Sequence, residues 1–188
     1  MSRFPTLPPS EFSSLQNDIE GLVQIIFKEH SELDYKDAEG NYYGPYSSLV
    51  YTPELVNPWF NIAFAVNRQD RISRRERELA ILAVLSVYNA PYVLYAHSRI
   101  SRKANFSEEQ VSNASHGIVP GDLTEEEVVA YTTALKLAGS KGPLDSEIWE
   151  QAQKVLGREK IAGLAHVVSG FIYVSILTNI GDGRVPEK

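Results

Sequence analysis

Apolar residues recur at helical spacing along most of this chain, and nowhere do they alternate at the period of two that marks a half-buried strand. From Glu11 the series Phe12, Leu15, Ile19, Leu22, Val23, Ile26 predicts an amphipathic helix running to about Glu29. Thr52-Pro53-Glu54 opens the next, with threonine as N-cap and proline at the first helical position. It passes Trp59, Phe60 and Ala63 to about Asn67, with Pro58 as a site for a kink. Ser73 and Glu76 then form a capping box ahead of the stripe Leu79, Leu82, Ala83, Leu85. Asn89-Ala90-Pro91 breaks that run and starts a helix reaching about Ala104, so residues 71–104 read as a helical hairpin. Ser107 to Gln110 caps a short helix that His116-Gly117 ends. Thr124 to Glu127 caps another running to about Ala138, and Asp145 or Ser146 opens one closing near Gly157.

The last element, Arg158 to Ile180, holds about 20 consecutive uncharged residues, enough in length to cross a membrane. His166, Ser169, Ser175, Thr178 and Asn179 break its apolarity, so it is expected instead as a buried helix, either central or between subunits. Gly163, Ser169 and Gly170 permit close approach of a neighbour. Two stretches carry no helical period. Residues 1–10 read as a proline-bearing arm. Residues 30–51 form a long connection holding Tyr35, Tyr42, Tyr43, Tyr46 and Tyr51. Tyrosines suit the wall of a pocket for an oxygenated ligand, and equally the packing of a loop onto its domain. The architecture expected is therefore all-α, about seven to eight helices in a single domain spanning residues 1–188.

Composition narrows the chemistry. A net charge of −6 argues against nucleic acid as partner. The absence of cysteine removes disulfides, thiolate nucleophiles and thiolate metal sites. His30, His97, His116 and His166 show no ligand spacing, so no metal is expected. The N-terminus lacks the apolar run of a signal peptide, which makes a cytoplasmic location, with no membrane partner, the expectation.

Within the hairpin, Glu78 and His97 lie ten and nine residues from a turn near Tyr88. Two antiparallel helices rise equally per residue, which sets the two groups at one height. His97 shares a face with Val93, Ile100 and Ala104, so a carboxylate can meet a half-buried imidazole there as a general acid or base. The alternative is Glu78 solvated among Arg74, Arg75 and Arg77, with His97 a satisfied core histidine. His166 is open to the same two readings, as a pocket residue or a core one. The basic run from Arg71 to Arg77 reads as a solvated face or an anion-facing rim.

The block RERELAILAV followed by YNAPYVLYAHSRISRKANFSEEQV resembles the carboxymuconolactone decarboxylase and alkylhydroperoxidase D-like superfamily, and DAEGNYYGPYSSLVYTPELVNPW is similar to the segment preceding it in decarboxylase-like members. The resemblance implies an alkylhydroperoxidase D-like helical bundle built around the hairpin. It places Glu78 and His97 on the family's glutamate and histidine, and the two redox cysteines of the peroxidase branch on Ala90 and Val93. Thiol peroxidase activity is accordingly not expected. Val93 also departs from the glutamate usual in the decarboxylase branch, which leaves Glu78 as the catalytic carboxylate. Tyr92, Tyr95 or a loop tyrosine such as Tyr43 or Tyr46 serves as an auxiliary donor, and Arg77 as an oxyanion stabiliser. The activity implied is a cofactor-independent lyase, a decarboxylase of a small keto or lactone carboxylic acid. The same groups suit an isomerase or cyclase, and a non-catalytic binding member is the opposing reading. The family also implies a homo-oligomer: a dimer, trimer or hexamer.

Overall fold

The computed structural model describes residues 2–7, 9–28 and 30–187, with side chains for the same residues apart from 9–13 and 16. The described residues form nine helices: α1 (Pro9–Phe27), α2 (Tyr46–Leu49), α3 (Pro53–Arg68), α4 (Arg74–Tyr88), α5 (Pro91–Lys103), α6 (Glu108–Ser115), α7 (Glu125–Gly139), α8 (Ser146–Val155) and α9 (Gly157–Ile180). No strand occurs among them, only an isolated antiparallel bridge between Lys36 and Tyr42. The fold is all-α and exceeds the seven to eight helices expected. The addition is α2, one turn inside the tyrosine-rich connection, and a single turn is too short to show a 3.6-residue period.

Local chemistry sets the boundaries. Ser73, Ser107 and Thr124 each accept from the backbone N–H three residues on, while Glu76, Gln110 and Glu127 reach back to the cap, so α4, α6 and α7 all start at complete capping boxes. Asp145 caps α8 through Glu147 N–H at 2.9 Å. Thr52 does not cap α3, because it makes no side-chain bond there; Pro53 at the first position is what starts that helix.

Helix α4 is the axis of the larger core. Its residues Leu79 to Val84 are wholly buried, covered by α5, α6, α7 and α9. Helix α9 is apolar and long enough to cross a membrane. Here it lies against α4 and α7, burying Leu164, Val167, Val168 and Phe171. Gly163 on α9 admits the Gln69 side chain, which donates to its carbonyl at 3.2 Å. A second, aromatic core joins α1, the tyrosine-rich connection, α2 and α3 around Ile19, Val23, Tyr46, Trp59 and Phe60. Glu20 on α1 ties that connection down, accepting from the Tyr35 hydroxyl at 2.7 Å and from Tyr42 at 3.0 Å while pairing with Lys36. Where the N-terminal arm is described, it lies on its own chain: Thr6 bonds Gly40 and Asn41, and the Tyr51 hydroxyl donates to the Pro5 carbonyl.

Candidate functional site

The hairpin closes as its spacing implies. Pro91 starts α5 directly after the Asn89 cap, whose positive φ of 26° turns the chain back. Across the gap His97 Nδ1 lies 2.9 Å from Glu78 Oε2. The same oxygen accepts from the buried Ser101 hydroxyl at 3.3 Å. A carboxylate oxygen only accepts, so the ring proton of a neutral His97 sits on Nδ1 and Nε2 carries a lone pair. Nε2 has no hydrogen-bond partner among the described residues. Phe171 meets the imidazole edge-on, its centroid 4.9 Å away, and fixes the ring plane. Glu78 is 3% exposed and His97 14%. The pair is therefore sheltered without being sealed.

His97 and Glu78 open onto a cavity of about 600 Å³ where the two cores meet, between α1, α3, α4, α5 and α9. Its walls are apolar, including Phe27, Trp59, Phe64 and Phe171. Its charged groups are one-sided. Lys28, Arg68, Arg74 and Arg77 line it, against Glu78 as the one acid among the described lining residues, itself held by His97. Arg77 spends one nitrogen on the Asn67 carbonyl at 2.7 Å, and Arg68 lies over the Phe64 ring. Such a cavity favours an anion with an apolar body. Tyr46 from α2 adds a neutral donor. Burial pushes its hydroxyl well above the ordinary tyrosine value, so it stays protonated, and it has no hydrogen-bond partner among the described residues.

The structure gathers the sequence candidates unevenly. His97, Glu78, Tyr46, Arg77 and Tyr92 all line the cavity. Tyr92 does so with its ring alone, because its hydroxyl donates to the Asp34 carbonyl at 2.9 Å. Tyr43 and Tyr95 fall outside the lining. They stack on Tyr92 with centroids 5.6 and 5.9 Å away, and Arg99 covers Tyr95. Their geometry is that of packing residues, which for Tyr43 is the other reading the tyrosine-rich stretch allowed. Gly44, with a φ of 64°, makes that packing possible, since a Cβ there would stand 2.5 Å from the Tyr92 ring. His166 is exposed on α9 and does not reach the cavity wall, so it is neither a pocket nor a core residue. The arginine cluster splits. Arg75 pairs with Glu127 at 2.5 Å and Arg71 with Glu159 at 2.6 Å, while Arg74 and Arg77 line the cavity. Two residues were missed. Ser101 lies one turn beyond His97, a signal open to anyone following its i+4 face. His30 lines the cavity from the connection after α1, where no periodicity points to it. Among the described residues no group of three His, Cys, Asp or Glu side chains is placed to hold a metal ion.

Residues 53–135, from α3 into α7 and including Glu78 and His97, match the model of the carboxymuconolactone decarboxylase family. That segment is carboxymuconolactone decarboxylase-like. No curated protein matches the chain in sequence. In fold the chain is similar to an alkylhydroperoxidase AhpD core, an uncharacterized peroxidase-related protein from Ralstonia eutropha JMP134. The TM-score is 0.77 at 16% identity, covering 99% of this chain and 93% of that one. It is also similar to a cysteine-to-alanine variant of the debrominase Bmp8 in complex with 2,3,4-tribromopyrrole. Here the TM-score is 0.74 at 14% identity, covering 99% of this chain and 92% of that one. The fold is thus the alkylhydroperoxidase D-like helical one. Ala90 and Val93 are buried, and Val93 lines the cavity one turn before His97.

Proposed function

We propose that this protein is a cofactor-independent lyase, a decarboxylase of a small keto or lactone carboxylic acid, with His97 as its acid–base residue and Glu78 as the carboxylate that orients it. The observation that carries this reading is the 2.9 Å contact between His97 Nδ1 and Glu78 at the wall of a cation-rimmed cavity. Loss of carbon dioxide from such an acid needs an electron sink, and the substrate's own carbonyl serves. The carbon–carbon bond to the carboxylate breaks, its electron pair passes into the enolate, and a proton then returns to carbon. His97, neutral in the resting site, takes a proton from water at Nε2 and, as an imidazolium held by Glu78, delivers it from Nε2 to carbon. A positioned acid of this kind contributes roughly 10²–10⁴-fold in rate. Arg74 and Arg77 at the rim draw the carboxylate in. Tyr46, an unspent donor, suits the oxygen on which charge develops. A debrominase of the same fold holds a small brominated pyrrole, which supports reading the helical scaffold as a host for small molecules.

The test is release of carbon dioxide from a panel of keto and lactone acids. The wild-type protein is expected to turn over at least one of them, and His97→Ala to lose at least 10²-fold in kcat with an unchanged far-ultraviolet circular dichroism spectrum. A variant as active as the wild type, or a panel without turnover, refutes the reading.

A further inference from the structure

The cavity holds a second imidazole with a carboxylate behind it. His30 follows α1 directly, its backbone N–H donating to the Phe27 carbonyl at 2.8 Å and its own carbonyl accepting from Leu33 N–H at 2.9 Å. This turn carries the ring into the cavity lining that His97 shares. Its Nδ1 is sealed from solvent and has no hydrogen-bond partner among the described residues. Among the described residues the acid that reaches it is Glu32, whose Oε1 stands 4.0 Å from Nδ1 and is held by Lys103 at 2.7 Å. A buried polar atom left unpaired is costly, and the exposed Glu32 side chain, 4.0 Å away, is the acceptor placed to satisfy it. A carboxylate only accepts, so Glu32 is matched to a ring that carries its proton on Nδ1. Polar contact with anything in the cavity then falls to Nε2, as it does in His97.

The ring is also kept neutral. Burial pushes the His30 imidazole below its ordinary value, the charges of Lys103 and Arg74 act the same way, and Glu32 opposes them. A neutral ring with its proton on Nδ1 presents an acceptor to the cavity. Two such acceptors facing one space suit a ligand that brings an O–H of its own, beside the carboxylate that the arginine rim attracts.

We propose that His30 is a second ligand-contacting residue of this cavity, that Glu32 is its positioning carboxylate, and that the bound molecule is a carboxylic acid bearing a hydroxyl or enol group which meets both imidazoles. The proposal rests on the acid-binding reading of the cavity given above and narrows the class of acid.

Long-range ¹H–¹⁵N correlation spectra of the uniformly labelled protein test it, since the chain has four histidines and two of them, the exposed His116 and His166, lie outside the cavity. The probe is phenylpyruvate, an enolisable acid with an apolar body. The Nε2 signals of His30 and His97 are expected to move together, saturating at one Kd, while His116 and His166 stay still. Glu32→Gln is expected to weaken the His30 response and raise its Nε2-protonated fraction, leaving the His97 tautomer as it was. Saturable movement at His97 alone overturns the role of His30 and leaves the proposed decarboxylase standing. Stillness at both cavity histidines overturns the two proposals together. Equal movement at all four marks nonspecific binding and overturns this one. An unchanged His30 tautomer in Glu32→Gln removes Glu32 from it.

Discussion

At the scale of single residues, what matters is which polar atoms the fold satisfies and which it leaves over. Glu78 spends one oxygen on His97 and Ser101, and His97 keeps Nε2 unspent toward a cavity. Ser175 gives the contrast. It is fully buried on α9, and its hydroxyl has no partner among the described residues. An unsatisfied hydroxyl is a cost without a use, so Ser175→Ala is expected to stabilise the protein by about 1 kcal/mol. For a chain of this length that is a rise of roughly 2–4 °C in Tm, readable by scanning calorimetry. A fall in Tm would mean that the hydroxyl is bonded after all. The pairing of Glu78 with His97 was legible in the sequence because nearly equal counts from a turn, ten and nine residues, set nearly equal heights on two helices. The roles of the tyrosines were not. Tyr92 and Tyr46 both line the cavity, yet only Tyr46 keeps its hydroxyl, and the difference is the Asp34 carbonyl, which approaches from a stretch without periodicity. His30 was illegible for the same reason.

Among the elements, α4 does most to position the site, since it carries Glu78, Arg74 and Arg77 and is packed on nearly every side. Its register depends on its first turn. Ser73 accepts from Glu76 N–H at 3.2 Å, and Glu76 returns a bond at 2.6 Å while holding Lys160 at 2.8 Å. Loss of such a cap costs about 1 kcal/mol. Ser73→Ala is therefore expected to lower the denaturation free energy by about that amount, with the native circular dichroism spectrum retained; no change in urea midpoint would show that the cap is idle. The capping boxes made α4, α6 and α7 legible, because a Ser or Thr followed by Glu or Gln three residues on leaves a pattern in sequence. Helix α2 left none, being one turn that tertiary packing of Tyr46 and Leu49 holds in place. Helix α9 shows the limit of hydropathy. Its composition suits a membrane and a buried core alike, and what decides is whether α4 and α7 offer a surface to receive it.

For the whole molecule, several carboxyl groups tie distant segments together, and that linkage sets its response to acid. Burial alone would raise Glu76, but bonds from Lys160 and Ser73 outweigh it and hold the carboxyl below its ordinary 4.5. Glu20 behaves likewise through Lys36, Tyr35 and Tyr42, and Asp37 through Asn41 and Arg184. The unfolded chain takes up these protons near 4.5 for Glu and 3.8 for Asp, whereas the folded chain does so only at lower pH. Between those limits the unfolded state binds more protons, so stability falls as pH falls. The urea midpoint is expected to hold steady above about pH 5 and to drop progressively below the ordinary carboxyl values. A flat midpoint down to pH 3 would contradict it. The same whole-molecule arrangement, two cores meeting at one cavity, gives the His97–Glu78 pair its opening onto that cavity. Everything proposed for this protein depends on how that ring carries its proton. The ¹⁵N chemical shifts of the neutral His97 ring report this most directly. They are expected to show a protonated Nδ1 and an unprotonated Nε2, with the preference lost in Glu78→Gln. A neutral ring that carries its proton on Nε2 in the wild-type protein would contradict the account.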